Sequence, residues 1–424
     1  MNKKLFDYIA SSPTSYHAVA HTADILREKG YTELCEGNYW ELSAGGKYFV
    51  TRNGSSLIAF RFLRDDFSGF MMVAAHGDTP CFKIKENGET RDGNYVRLST
   101  EKYGGMICST WMDRPLAIAG RVTVRTAEGI ESRLVDTKEP CAIIPNVAIH
   151  MNRSVNEGMS YNPAVDMVPL WDLDGQATSF SDRIAELANA STEDIVASDL
   201  FLYNPEEGKE WGNFISAPRL DDLQCAFAAL IAFVCADDAE NCPVFCLFDN
   251  EEVGSGTKQG AASTFLYDVL RRIVIRDERY QCKIASSFLI SADNGHAIHP
   301  NHPEYADKNH ASKINGGVVI KYNANQKYTS DAVSAGIFRL ICERADVPTQ
   351  YYANRADMAG GSTLGNIANT QVSLNTVDIG LAQLAMHSSY ETAGARDTEF
   401  MVTALKKFYE TSLTMKNDGS YILK

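Results

Sequence analysis

Apolar residues in this chain gather in short unbroken runs, and each run stops at a charged or polar side chain. "GFMMVAAHGDTP" (69–80) ends in His76, Gly77 and Asp78; "CPVFCLFDNEE" (242–252) ends in Glu251 and Glu252; "SSFLISAD" (286–293) ends in Asp293. Runs of this length, without alternation, predict strands buried on both faces, as in a parallel α/β sheet. Two more strands are expected at "KYFVTRN" (47–53) and "SLIAFRFL" (56–63). Residues 15–30, "SYHAVAHTADILREKG", predict a helix with a Ser or Thr before its start and Gly30 at its stop. A nearly all-apolar helix should begin near Asp221, after the loop "SAPRL".

The texture changes after the polar stretch "KENGETRDGNY" (85–95). "RVTVRTAEGIESRLV" (121–135) alternates apolar and polar residues around Glu128-Gly129, which predicts a β-hairpin. "MVPLWDL" and "DIVASDLFLYNP" continue in that vein. The expected layout is therefore an α/β domain in two pieces, 1–87 and 218–424, with a β-rich insertion at 88–217. Such an insertion into a surface loop costs little free energy.

Composition narrows the function classes. The chain has 424 residues, enough for a large domain and a second module. A net charge of −14 argues against a nucleic-acid partner. No apolar stretch approaches the ~18 residues of a membrane span, and the N-terminal residues lack a signal-type apolar core. Ten cysteines without a CxxC pair suit a reducing compartment. A cytoplasmic protein is the expectation.

The candidate chemistry lies where the apolar runs stop. Functional groups of parallel α/β sheets gather outside the carboxyl ends of the strands. His76, Asp78, Asp221, Glu251, Glu252, Asp293 and His387 all fall at such places. A lone Asp after a strand is more often a turn or cap residue. That bland reading weakens when five segments each end in a possible ligand and one ends in two adjacent carboxylates. Imidazole and carboxylate suit zinc, with cobalt or manganese as substitutes. Adjacent residues point in different directions, so Glu252 can hold a metal while Glu251 faces a water as general base. With two ions, Asp221 is the best-placed bridging carboxylate.

These residues sit in a set of longer motifs. "SPTSYHAVA", "AAHGDTPCFKIK", "YGGMICSTWMDRPLAIAGRV", "IPNVAIHMNR", "SAPRLDDL", "FDNEEVGSGT", "SADNGHAIHPNHPEYADKNHA", "INGGVVIKYNANQKYTSDAV", "ADMAGGSTLG" and "AMHSSYETAG" run nearly the whole length. Together they resemble the M18 metallo-aminopeptidases, the aspartyl aminopeptidase family. The resemblance implies a zinc-exopeptidase-type three-layer αβα domain with an inserted β-rich dimerisation domain. It implies two zinc ions, one held by His76 and Asp293, the other by Glu252 and His387, with Asp221 between them. Glu251 would be the general base and Asp78 would orient His76. His150 would reach a neighbouring subunit's site, and His296, Lys321 and Tyr328 would contact substrate.

The same resemblance implies a homo-oligomer, dimers building a tetrahedral dodecamer, that removes N-terminal Asp or Glu from peptides. Lys321 would pair with the acidic side chain, worth roughly 1.5–3 kcal/mol for a charged hydrogen bond. Three positions depart from the family pattern. Gly77 replaces Thr and is expected to loosen its loop, Asp222 follows the bridging Asp where Asn is common, and Tyr390 replaces an arginine. Two rivals share the motifs: a two-zinc aminopeptidase or deacylase of neutral specificity, and a non-catalytic metal-binding assembly protein. "GGSTLG" (360–365) reads as a backbone wall near the substrate, and His299, His302 and His310 as structural or solvent-facing.

Overall fold

The unbroken apolar runs form the middle of a nine-stranded sheet. The computed structural model describes residues 1–175 and 178–424. Across the sheet the strands run Thr32–Leu34, Gly46–Arg52, Ser56–Phe62, Cys242–Phe248, Phe70–His76, Phe288–Ala292, Asn375–Gly380, Val318–Tyr322 and Thr349–Ala353. Four consecutive members, from Cys242–Phe248 to Asn375–Gly380, are parallel. Their register sets Phe248 beside His76 and Ala292 beside Ile379. The runs therefore end together, and the polar residues after them share one edge.

These strands carry apolar side chains on both faces because both faces are covered. Met71, Val73 and Ala75 join a core with residues of the helices Asn2–Ala10, Ser15–Glu28, Leu220–Cys235, Ala332–Arg344 and Asp397–Tyr409. Phe70, Met72 and Ala74 join a separate core with Phe265–Ile273, Asp277–Ala285 and Leu364–Ala368. The apolar helix near Asp221 is buried on almost every side against the sheet and helix Asp397–Tyr409, which explains its composition. Among the described residues no helix is long and apolar enough to cross a membrane.

A second sheet has seven strands, and six of them close on themselves. The order is Ile195–Tyr203, Cys81–Asp92, Tyr95–Tyr103, Leu170–Leu173, Ala142–Ile143, Pro115–Thr126 and Gly129–Asp136, and Ile195–Tyr203 also pairs with Pro115–Thr126. Closure leaves an interior filled by side chains such as Phe82, Leu98, Trp111, Ile118 and Leu202. The hairpin at 121–135 is part of it, Thr126 opposite Gly129.

The expected break at residue 88 falls inside the strand Cys81–Asp92. Its second half is mostly exposed, so a strand end reads as a polar linker. On the other side, Lys209–Trp211 and Phe214–Ala217 leave the barrel and pair into a five-stranded sheet with Glu391–Gly394, Ala382–Leu384 and Gly295–His296. That small sheet ties residues 209–217 to the C-terminal third of the chain.

Phe233 anchors the larger core. It is fully buried, with ring centroids 5.6 Å from Tyr31, 6.1 Å from Phe245 and 5.5 Å from Tyr409. Phe233→Ala should lower unfolding free energy by about 3–5 kcal/mol, read as an earlier urea midpoint; a change under about 1 kcal/mol would mean the cavity collapses without loss.

Candidate metal centre

His76 is the last residue of its strand and is almost fully buried. Its Nδ1–H donates to the main-chain oxygen of Asp78 at 3.0 Å, which leaves Nε2 free toward Asp221. His387 is arranged alike: Nδ1–H donates to Gly105 O, and Nε2 faces Asp221 and Glu252. Asp221 precedes the regular part of its helix, with φ −86° and ψ 106°. Its two oxygens lie 3.5 Å from His76 Nε2 and 3.5 Å from His387 Nε2, and Glu252 Oε1 lies 3.3 Å from His387 Nε2.

Those spacings are long for hydrogen bonds and suit ligands of a shared ion. Two atoms about 2.0–2.2 Å from one tetrahedral ion stand roughly 3.3–3.6 Å apart. Asp221 Oδ1 and Glu252 Oε1 are buried without a hydrogen-bond partner, a costly state that a cation relieves. Two groups of side chains converge within ligand reach: His76, Asp221, Asp222 and Asp293, and Asp221, Glu252 and His387. Asp221 belongs to both. The donors are imidazole and carboxylate only, a set that fits zinc.

Burial and crowding dominate the electrostatics. Burial pushes Glu251 up to about 9, and the nearby Asp293 and Glu252 charges add to it against the opposing effect of His76. Burial likewise raises Glu252 to about 7 and lifts Asp293 and Asp222. Burial would depress His387, but Asp221 and Glu252 outweigh it and hold the ring at about 11. His76 is raised by Asp221 and Asp78 in the same way, against burial. So many buried acids in contact call for positive charge among them.

His76, Asp221, Glu251, Glu252, Asp293, His296, Lys321, Tyr328 and His387 line one cavity of about 300 Å³, with Gly361, Ser362 and Thr363 of the "GGSTLG" segment on its wall. Asp78 sits behind it: its carboxylate accepts the main-chain N–H of Glu251 and of Glu252, each at 3.1 Å. Lys321 Nζ donates to Asn294 O at 2.8 Å and lies 3.5 Å from Asp293. Its stem lies close over Gly380, where a Cβ would stand 3.0 Å from Lys321 Cε and 2.0 Å from Asp293 O.

His150 is not brought to this cavity within the chain; it lies in an exposed turn of the 145–166 segment. His299, His302 and His310 are exposed, and His302 and His310 pair with Glu304 and Asp307. Gly77 N–H donates to Phe248 O at 2.8 Å, which ties its main chain to the neighbouring strand. Asp222 is fully buried and accepts from the main-chain N–H of His76 and of Asn294. Tyr390 turns away and donates to Glu207 O.

Sequence reasoning missed Glu391. It is nearly fully buried, and its two oxygens accept from Asp221 N at 3.0 Å and His387 N at 2.7 Å. One carboxylate thus fixes the main chain at two candidate ligands. The available signal was a carboxylate four residues after His387, at the end of "MHSSYE".

Comparison with known proteins finds relatives along nearly the whole chain. Residues 8–409 match the model of the family described as "Aminopeptidase I zinc metalloprotease (M18)". The chain is 44% identical to "Probable M18 family aminopeptidase 2" of Clostridium acetobutylicum, over 96% of this chain and 98% of that one. It is 42% identical to the protein of the same name from Pseudomonas aeruginosa, over 97% and 98%. Among solved structures, it is similar to the Ape4 and Nbr1 complex, with TM-score 0.93, 33% identity, and 96% of this chain and 85% of that chain covered. It is also similar to the S. cerevisiae mApe1 dodecamer, with TM-score 0.83, 27% identity, and 96% and 95% covered.

The double role of Glu391 has a direct consequence. Glu391→Ala should leave two buried amides unpaired, at about 1–3 kcal/mol each, and weaken zinc retention after dialysis. Urea unfolding and metal analysis check it; unchanged stability with full zinc content would contradict the role.

Proposed function

This chain belongs to the M18 family of zinc metallo-aminopeptidases, and from that premise we propose that it is a two-zinc enzyme that removes N-terminal acidic residues from peptides. The observation that carries the reading is a single cavity in which two ligand groups share Asp221 while Glu251, outside both groups, lines the same space. On this reading His76 and Asp293 hold one zinc, Glu252 and His387 the other, and Asp221 both. Cobalt or manganese can substitute. Bound zinc would supply Lewis acidity, polarising the scissile carbonyl and making a water acidic.

The chain's own residues supply the rest. Asp78 holds the main chain of Glu251 and Glu252, so the base carboxylate is positioned by its own backbone. Glu251 takes the proton of the attacking water at its carboxylate and returns it to the leaving amine nitrogen. Carboxylates around the cavity hold the free α-amine, which restricts cleavage to chain ends. His296 and Tyr328 contact the first residue, and Lys321 pairs with its side-chain carboxylate.

We take residues 1–87 with 218–424 as a three-layer αβα catalytic domain and 88–217 as the inserted dimerisation domain, with its edges adjusted by the barrel strand Cys81–Asp92 and by residues 209–217, which pair with the C-terminal third. The exposed His150 supports a role in a neighbouring subunit's site, where it would donate to the developing oxyanion. The similar S. cerevisiae mApe1 is described as a dodecamer, and the same assembly, dimers arranged tetrahedrally, is proposed here.

Glu251→Gln should keep its zinc and lose turnover by about a hundredfold or more; full activity with metal bound would remove Glu251 from the base role. A second reading, neutral specificity, draws on the engagement of Lys321 by Asn294 O and Asp293. Asp- and Leu-terminated substrates decide between the two. An acidic preference of about tenfold to a hundredfold that collapses in Lys321→Met supports the lysine; a wild-type ratio near one supports the neutral reading.

A further inference from the structure

The two ligand groups differ in what holds them. The bonds on the first group come from the nine-stranded sheet and its edge. The Asp78 main-chain oxygen orients His76, Asn294 N bonds Asp222, and Lys321 flanks Asp293. The second group is reached from the barrel. Tyr103 ends the barrel strand Tyr95–Tyr103, and its hydroxyl donates to Asp78 Oδ2 at 2.7 Å while accepting from Asn250 Nδ2 at 2.9 Å. Asp78 Oδ2 is also the oxygen that accepts Glu252 N at 3.1 Å. Asn250, in a left-handed conformation with φ 62°, immediately precedes the two glutamates. The Tyr103 hydroxyl therefore joins Asn250, which starts the turn that carries Glu252, to the Asp78 oxygen that holds the Glu252 amide.

The next residues continue the contact. Gly104 has φ +74°, and a Cβ there would stand 3.2 Å from Glu252 Cβ. Gly105 O accepts His387 Nδ1–H, which selects the tautomer that leaves Nε2 free, and Ile107 N donates to His387 O at 3.0 Å. His387 has φ 66°, a conformation a non-glycine residue keeps only when its surroundings impose it.

We infer that Tyr103–Ile107 is the clamp that sets the second group, Asp221, Glu252 and His387, and that Tyr103 is a positioning residue for Glu252 acting through Asp78 Oδ2. The inference rests on the two-ion reading above. Its selectivity follows from which Asp78 atoms are used. The shorter bond to His76 comes from the Asp78 main chain at 3.0 Å, and side-chain Oδ1 stands 3.5 Å away. The tyrosine touches Oδ2, so losing its hydroxyl removes the outer partner of the oxygen that holds the Glu252 amide, while the Asp78 main chain still tethers His76. The barrel then does more than add surface to the chain: it completes one of the two ion sites.

The test uses full-length wild type, Tyr103→Phe and Gly104→Ala, each stripped with a chelator, checked for folding by circular dichroism and titrated with zinc by calorimetry. Asp293→Asn marks the equivalent that belongs to the first group. Wild type should bind two equivalents. Tyr103→Phe should weaken one of them by about tenfold or more, the usual effect of removing an outer partner of a ligand, and leave the Asp293-dependent one unchanged. Gly104→Ala, which pushes on Glu252 by a different route, should do the same and carries the test if Tyr103→Phe does not fold. Equal weakening of both equivalents, or of neither, overturns the clamp. A single equivalent in wild type overturns the two-ion reading and the clamp with it, so the two failures are told apart.

Discussion

Asp78, Asp221, Asp222, Glu251, Glu252, Asp293 and Glu391 are crowded at one edge of a sheet, with little water to screen them. Mutual repulsion and desolvation both oppose that arrangement, and the two buried oxygens without partners show that hydrogen bonds do not fully answer it. Positive charge does. Lys321 supplies some at Asp293, and these imidazole and carboxylate groups could hold a metal ion of the kind named in the family's description, zinc, which would supply more. Much of the surrounding structure can be understood as the frame that keeps these acids from moving apart.

The frame works through the main chain. Asp78 holds the amides of Glu251 and Glu252, Glu391 those of Asp221 and His387, and Asp222 those of His76 and Asn294. Each acid spends its lone pairs on amides next to a candidate ligand, so ligand side chains stay free. A carboxylate that accepts two amides also resists rotation, which preserves the geometry when no substrate is present. Four parallel strands ending in register bring the starting points together, and the buried helix behind Asp221 closes the third side.

Much of this was legible beforehand. An apolar run such as Phe70–His76 has no polar residue until its end, so strand, burial and candidate ligand could be read in one motif. The same holds for Cys242–Phe248, and nearly so for Phe288–Ala292, where Ser291 is the one polar residue before Asp293. The start of the barrel was less legible. Cys81–Asp92 is apolar at first and polar later because only part of it is buried, and a half-exposed strand resembles a linker. Residues 209–217 read as part of the inserted segment, because nothing local announces a partner strand at 391–394.

The sequence by itself determined the kinds of side chain available and the strand ends on which most of them stand, since both follow from local pattern. Tertiary structure alone decided that Glu391 bonds the distant amide of Asp221, that Lys321 packs over Gly380 to reach Asp293, and that Tyr103 of the barrel touches Asn250 at the turn of Glu252. Those contacts join residues far apart along the chain. No periodicity or spacing encodes them, because they exist only once separate sheets have packed against each other.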